Sequence, residues 1–148
     1  MPNENPDLKI AGLSLWIAGR QFPDAEEYWD GNWLNIFVRV SAPGASVEVQ
    51  GPIVHLREIY GFAKELDELT QAIVGTARLK CIEPALSASI EIGSLGTGVL
   101  KVEATPNHLT QSHRFEFDID QTEVSSVAKQ CAAIIAEYQL RDAPEQGG

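Results

Sequence analysis

Leu34, Ile36, Val38 and Val40 alternate with Asn35, Phe37 and Arg39, and this period of two constrains the fold more than any other feature of the chain. Alternation of that kind sends one set of side chains to a buried sheet face and the other set away from it. Similar runs, bounded by Gly, Pro, Asn and Ser, predict seven strands: 8–18, 33–41, 46–54, 77–82, 86–92, 98–105 and 112–119. Gly51-Pro52 marks a kink or an end in the third of them, because proline cannot donate to a ladder. Short connections at Glu83-Pro84, 93–98 and 106–110 imply an antiparallel meander through the later strands.

Two stretches break the alternation with helical spacing. Leu56, Ile59, Ala63, Leu66, Leu69 and Ile73 form an apolar stripe that predicts a helix over 56–74, with Gly75 as its stop. Asp120, with Glu123 three residues on, has the pattern of a capping box and opens a second helix. Its stripe is Val124, Val127, Ala128, Cys131, Ile134, Ile135 and Tyr138. The fold class expected is therefore α+β: an antiparallel sheet of about seven strands, with room to curl, and two helices on one face. Residues 8–140 form the single domain, 1–7 a flexible N-terminal arm and 141–148 a flexible C-terminal tail.

Composition matters chiefly for partners. The chain has 148 residues, enough for one domain with a full core, and 21 acidic against 11 basic residues give a formal charge of -10. That balance argues against nucleic acid and anionic membranes and suits a basic partner. Cys81 and Cys131 form no CxxC pair and are expected as reduced packing residues, although a disulfide between them stays open. The first residues lack the basic and apolar regions of a signal peptide, and no apolar run approaches the length of a membrane span. The expected location is the cytoplasm. The oligomeric state is not legible.

One stretch concentrates unusual chemistry. Phe22-Pro23-Asp24-Ala25-Glu26-Glu27-Tyr28-Trp29-Asp30-Gly31-Asn32-Trp33-Leu34 holds four carboxylates and four aromatics, with no Lys or Arg. Two of the carboxylates could act as acid and base in a hydrolase, several could hold calcium, or all could be a solvated loop that starts a helical turn. The spacing of a calcium-binding EF-hand is absent, and an acidic binding face is the preferred functional reading. Asp24, Glu26, Glu27, Trp29 and Asp30 are the candidate partner-binding residues, while Trp33 is expected as a lid on the core.

Other motifs carry less. His55, His108 and His113 show no metal-ligand spacing; His55 suits a cap at a strand-to-helix junction and His113 a satisfied core position. No serine occupies a nucleophile elbow. The loop Gly93-Ser94-Leu95-Gly96-Thr97-Gly98 joins two strands and opens no helix, so it is a hairpin and not a phosphate cradle. No catalytic residue, metal site or cofactor is expected, and the chain is not expected to be an enzyme.

Residues 22–34 resemble the signature of the WapI-type bacterial immunity proteins, in which a similar Asp-x-x-Asp-x-Asn-Trp-Leu segment leads into an alternating strand. Glu27, Asp30, Asn32, Trp33 and Leu34 occupy the matching positions, with Glu27 in place of Asp. The order of elements is similar over 8–140, including a Glu-Pro-x-Leu turn at Glu83 to Leu86. The resemblance implies a non-enzymatic protein that neutralises the C-terminal domain of a cognate toxin, often a basic nuclease, by stoichiometric binding. It also implies that Asn32, Trp33 and Leu34 serve the fold. The alternative is a general protein-interaction or small-ligand-binding domain.

Overall fold

A computed structural model describes residues 2–143. Met1 of the expected arm and residues 144–148 of the expected tail lie outside the described residues. The alternation at 33–41 becomes β3 (Trp33–Ala42), whose Leu34, Ile36, Val38 and Val40 are fully buried or nearly so. It is flanked by β2 (Leu13–Arg20) and β4 (Ala45–His55), and β1 (Leu8–Ile10) adds the outer strand on the β2 side. The second half folds as β5 (Gly75–Leu79), β6 (Leu86–Ile92), β7 (Thr97–Ala104) and β8 (Arg114–Asp120), a meander in sequence order. Every pairing is antiparallel.

The class is the expected α+β, with two differences of detail. The strand expected over 8–18 is a hairpin, because the chain reverses at Ala11-Gly12 and pairs Ile10 with Leu13. Among the described residues the strands therefore number eight, divided into two four-stranded sheets instead of one. The sheets meet where β3 and β4 approach β7, and the apolar residues of both enter one cluster.

Two bulges shape the first sheet. Between Ile17 and Gly19 the β2 strand carries an extra residue opposite β3, which ends the strand on Arg20 beside the 22–34 stretch. Gly51-Pro52 lies within β4, where the register with β3 shifts between Leu34 and Ile36. The proline thus kinks the strand without ending it, on a sheet edge where its missing donor is tolerated.

The first helix, α1 (Leu56–Ala72), buries Leu56, Ile59, Phe62, Ala63, Leu66 and Leu69. It stops before Gly75: Ile73 takes a positive φ of 72° and its amide bonds the Leu69 carbonyl. The second, α2 (Gln121–Glu137), buries Val124, Val127, Cys131 and Ile134 and packs on α1 and β1. Asp120 caps it by accepting from the Thr122 and Glu123 amides, but Glu123 returns no bond, so only half of the expected capping box forms.

Both cysteines are free. Burial pushes the Cys131 thiol up to about 12 and raises Cys81 further, so both stay protonated and unreactive. His113 is not a core residue: it is half-buried and its Nε2 bonds Gln111 Oε1 at 3.1 Å. No helix among the described residues is long and apolar enough to cross a membrane.

Candidate functional site

The 22–34 stretch leaves β2 at Arg20 and returns through a single 3₁₀ turn, Asp30–Asn32, into β3. Its fixed point is Asn32, which is wholly buried. The side-chain amide donates to the carbonyls of Tyr28 (2.7 Å) and Arg141 (2.9 Å). Its oxygen accepts from Arg20 Nη1 (3.0 Å) and the Arg141 amide (2.9 Å). Two donors and two lone pairs are thereby all used, the full capacity of an asparagine side chain.

Two arginines tie the loop to the rest of the molecule. Arg20 donates to the carbonyls of Gly31 (2.7 Å) and Gln139 (2.6 Å), joining the end of β2 to the segment after α2. Arg141 donates through Nη1 to the carbonyls of Pro23 (2.7 Å) and Ala25 (2.8 Å). Arg141 is the first residue of the segment expected as a tail, and here it clasps the loop. Close packing also fixes Gly31, where a Cβ would lie 2.5 Å from the Ala25 carbonyl oxygen.

Beneath the loop lies His55, wholly buried at the junction of β4 and α1. Its Nδ1 accepts from the Arg57 amide (3.2 Å), so the proton belongs on Nε2, which points at the carbonyls of Tyr28 (3.2 Å) and Trp29 (3.1 Å). Burial lowers the pKa of His55 and keeps the ring neutral. Glu58 completes a capping box by accepting from the His55 amide (2.8 Å), and its other oxygen accepts from the Ile82 amide (2.7 Å). Burial raises the Glu58 pKa.

Trp29 stands on this base. Its ring stacks on His55 (centroids 5.1 Å apart, 26° between planes) and meets Trp33 edge-on at 5.3 Å. The Arg57 guanidinium sits 5.2 Å from the Trp29 centroid, within range of a cation–π contact. Even so, Trp29 remains 44% exposed, so a large ring is held in place and still presented to solvent.

Asp24, Glu26, Glu27 and Asp30, on the same loop, are all exposed. Hydrogen bonding to Asp30, and then its charge, raises the Glu27 pKa. Trp33 and Leu34 are buried, Leu34 completely. The structure thus brings the five candidate contact residues together on one loop, over a buried base of Asn32, Trp33 and His55. Arg20, Arg141 and Glu58 are not singled out by the sequence. Only the last left a signal, the His55-x-x-Glu58 spacing of a capping box with His replacing the usual Ser, Thr or Asp.

No group of three or more metal-ligating side chains occurs among the described residues. His55 faces carbonyl oxygens and an amide, with no hydroxyl or thiol among its hydrogen-bond partners. A family model described as "Immunity protein WapI-like family" matches residues 7–139. No curated protein matches the chain.

Proposed function

The chain belongs to the WapI-like immunity protein family, and from that premise we propose that it neutralises a cognate toxin domain by stoichiometric, non-enzymatic binding. The family match over 7–139 carries the reading. The 22–31 loop supports its placement on the molecule. Asp24, Glu26, Glu27 and Asp30 are exposed on the same loop as a half-exposed Trp29, and an aromatic anchor with charged neighbours favours fast, specific protein docking. The loop is also pre-organised through Asn32, Arg20 and Arg141, so little ordering entropy opposes binding.

The partner proposed is basic, as a nuclease toxin with a cationic substrate cleft would be, and a chain of net charge -10 is drawn to it at long range. Protection of this kind acts in the cytoplasm of the producing cell. The test is growth rescue: the toxin domain encoded beside this gene is induced in a host with and without the protein, and the mixture is run on a sizing column. Reversal of killing together with a one-to-one complex is the expected result. Killing without rescue would overturn the pairing and favour a general interaction domain.

A further inference from the structure

A second surface carries the opposite sign. A groove of about 300 Å³ runs between α1 and the outer edge of β5, the end strand of its sheet, and is lined by Arg57, Gly61, Arg78, Lys80 and Ile82 among others. It joins a depression of about 440 Å³ on the β5–β7 face through the shared Arg78 and Lys80, where Lys101 and Arg114 are added. Five of the 11 basic residues therefore line one continuous surface of an acidic protein.

Three carboxylates share that surface. Glu58 is buried and accepts from the backbone amides of His55 and Ile82, while Glu65 accepts from the Arg78 amide (3.2 Å). Glu103 lines the second depression. Among the described residues Arg57, Arg78, Lys80 and Lys101 form no ion pair, whereas Arg114 pairs with Glu116.

Charge favours a carboxylate-bearing ligand: the amides of Arg78 and Ile82 are already taken by glutamates from α1, whereas the Arg78 and Lys80 side chains have no ion-pair partner among the described residues. Gly61 stands in the middle of α1 where a helix prefers almost any other residue, and a Cβ there would meet nothing within 4 Å. Packing does not require glycine at that position. Its effect is to leave the helix backbone bare along the groove, so that another chain can approach closely.

We infer that the α1–β5 groove docks a short, extended acidic segment of a protein partner. Arg78 and Lys80 meet its carboxylates and the bare Gly61 backbone admits its main chain. The groove reaches Trp29 through Arg57, so one partner can cover both the acidic loop and the basic groove. The inference stands whether or not that partner is a toxin. A nucleic acid fits less well, because a run of phosphates longer than the groove meets a chain of net charge -10.

An N-acetylated, C-amidated hexaglutamate peptide is the probe, titrated into the ¹⁵N-labelled protein. Amide shifts centred on Gly61, Lys80 and Ile82 are expected. Arg78→Glu with Lys80→Glu should weaken binding by about tenfold or more, as two ion pairs become repulsions. Gly61→Trp should block it at unchanged charge and near-unchanged melting; if that variant does not fold, the exposed charge pair decides alone. Absence of shifts at millimolar peptide overturns the inference. So do shifts centred elsewhere, tighter binding of a single-stranded hexanucleotide, or self-association that Arg78→Glu abolishes.

Discussion

At the scale of single residues, the site depends on buried polar groups whose partners are all backbone or arginine. Asn32→Asp keeps the shape but replaces a donor with an acceptor that faces the carbonyls of Tyr28 and Arg141. Two acceptor–acceptor contacts and a buried charge should lower stability by roughly 2–4 kcal/mol, softened by Arg20, as measured by urea unfolding. His55 gives a pH prediction with a definite sign. Its folded pKa lies below the ordinary value, so at acidic pH the unfolded chain binds the extra proton. The stability it contributes is complete above about pH 6.5 and falls as pH drops through that value, by at most about 1.4 kcal/mol per pH unit. The opposite shift of Glu58, which favours the folded state at lower pH, offsets part of the loss. His55→Asn should therefore be less stable than the parent at neutral pH, yet show a flatter profile between about pH 7 and 5.5. The aromatic and acidic content of this site was legible in sequence, since it is contiguous. The clasp was not: Arg20 and Arg141 are ordinary surface residues until the fold brings them to Asn32 from either end of the chain.

At the scale of elements, the periodic stretches were legible and their pairing was not. Burial on one face fixes alternation within a strand, but which strands share a sheet depends on contacts far apart in sequence. The missed hairpin did leave a trace. Leu8 and Ile10 keep a period of two, then Leu13 and Leu15 resume it after a step of three, a change of parity that a single strand cannot absorb without turning its apolar face outward. The turn has a structural task. Gly12 fits between Ser41 of the first sheet and Phe117 of the second, and a Cβ there would lie 2.1 Å from the Ser41 carbonyl oxygen. Gly12→Ala must push the hairpin turn away from Ser41 and Phe117, and it should lower stability by about 1–3 kcal/mol, read as a drop in Tm. A milder test applies to α2, where Asp120→Ala removes a cap with two amide partners and should lower Tm by less than Gly12→Ala does.

At the scale of the molecule, charge is sorted by position. Arg20 and Arg141 face inward to carbonyls, and Arg39 and Arg114 pair with Glu48 and Glu116, so the loop carboxylates keep no cation of their own among the described ion pairs. If that loop meets a basic toxin, its charge and its ring should affect different rate constants. Glu26→Lys with Glu27→Lys reverses two exposed charges and should slow association by roughly tenfold at low salt. That deficit should shrink towards zero near 1 M salt, where the screening length falls to about 3 Å. Trp29→Ala leaves the long-range field unchanged and removes the anchor, so association should hold while dissociation quickens by roughly 30-fold, equivalent to about 2 kcal/mol. Surface-capture kinetics over a salt series separate the two effects. Association rates that ignore both charge reversal and salt would remove the loop from the encounter surface, and a dissociation rate indifferent to Trp29 would remove it from the final complex.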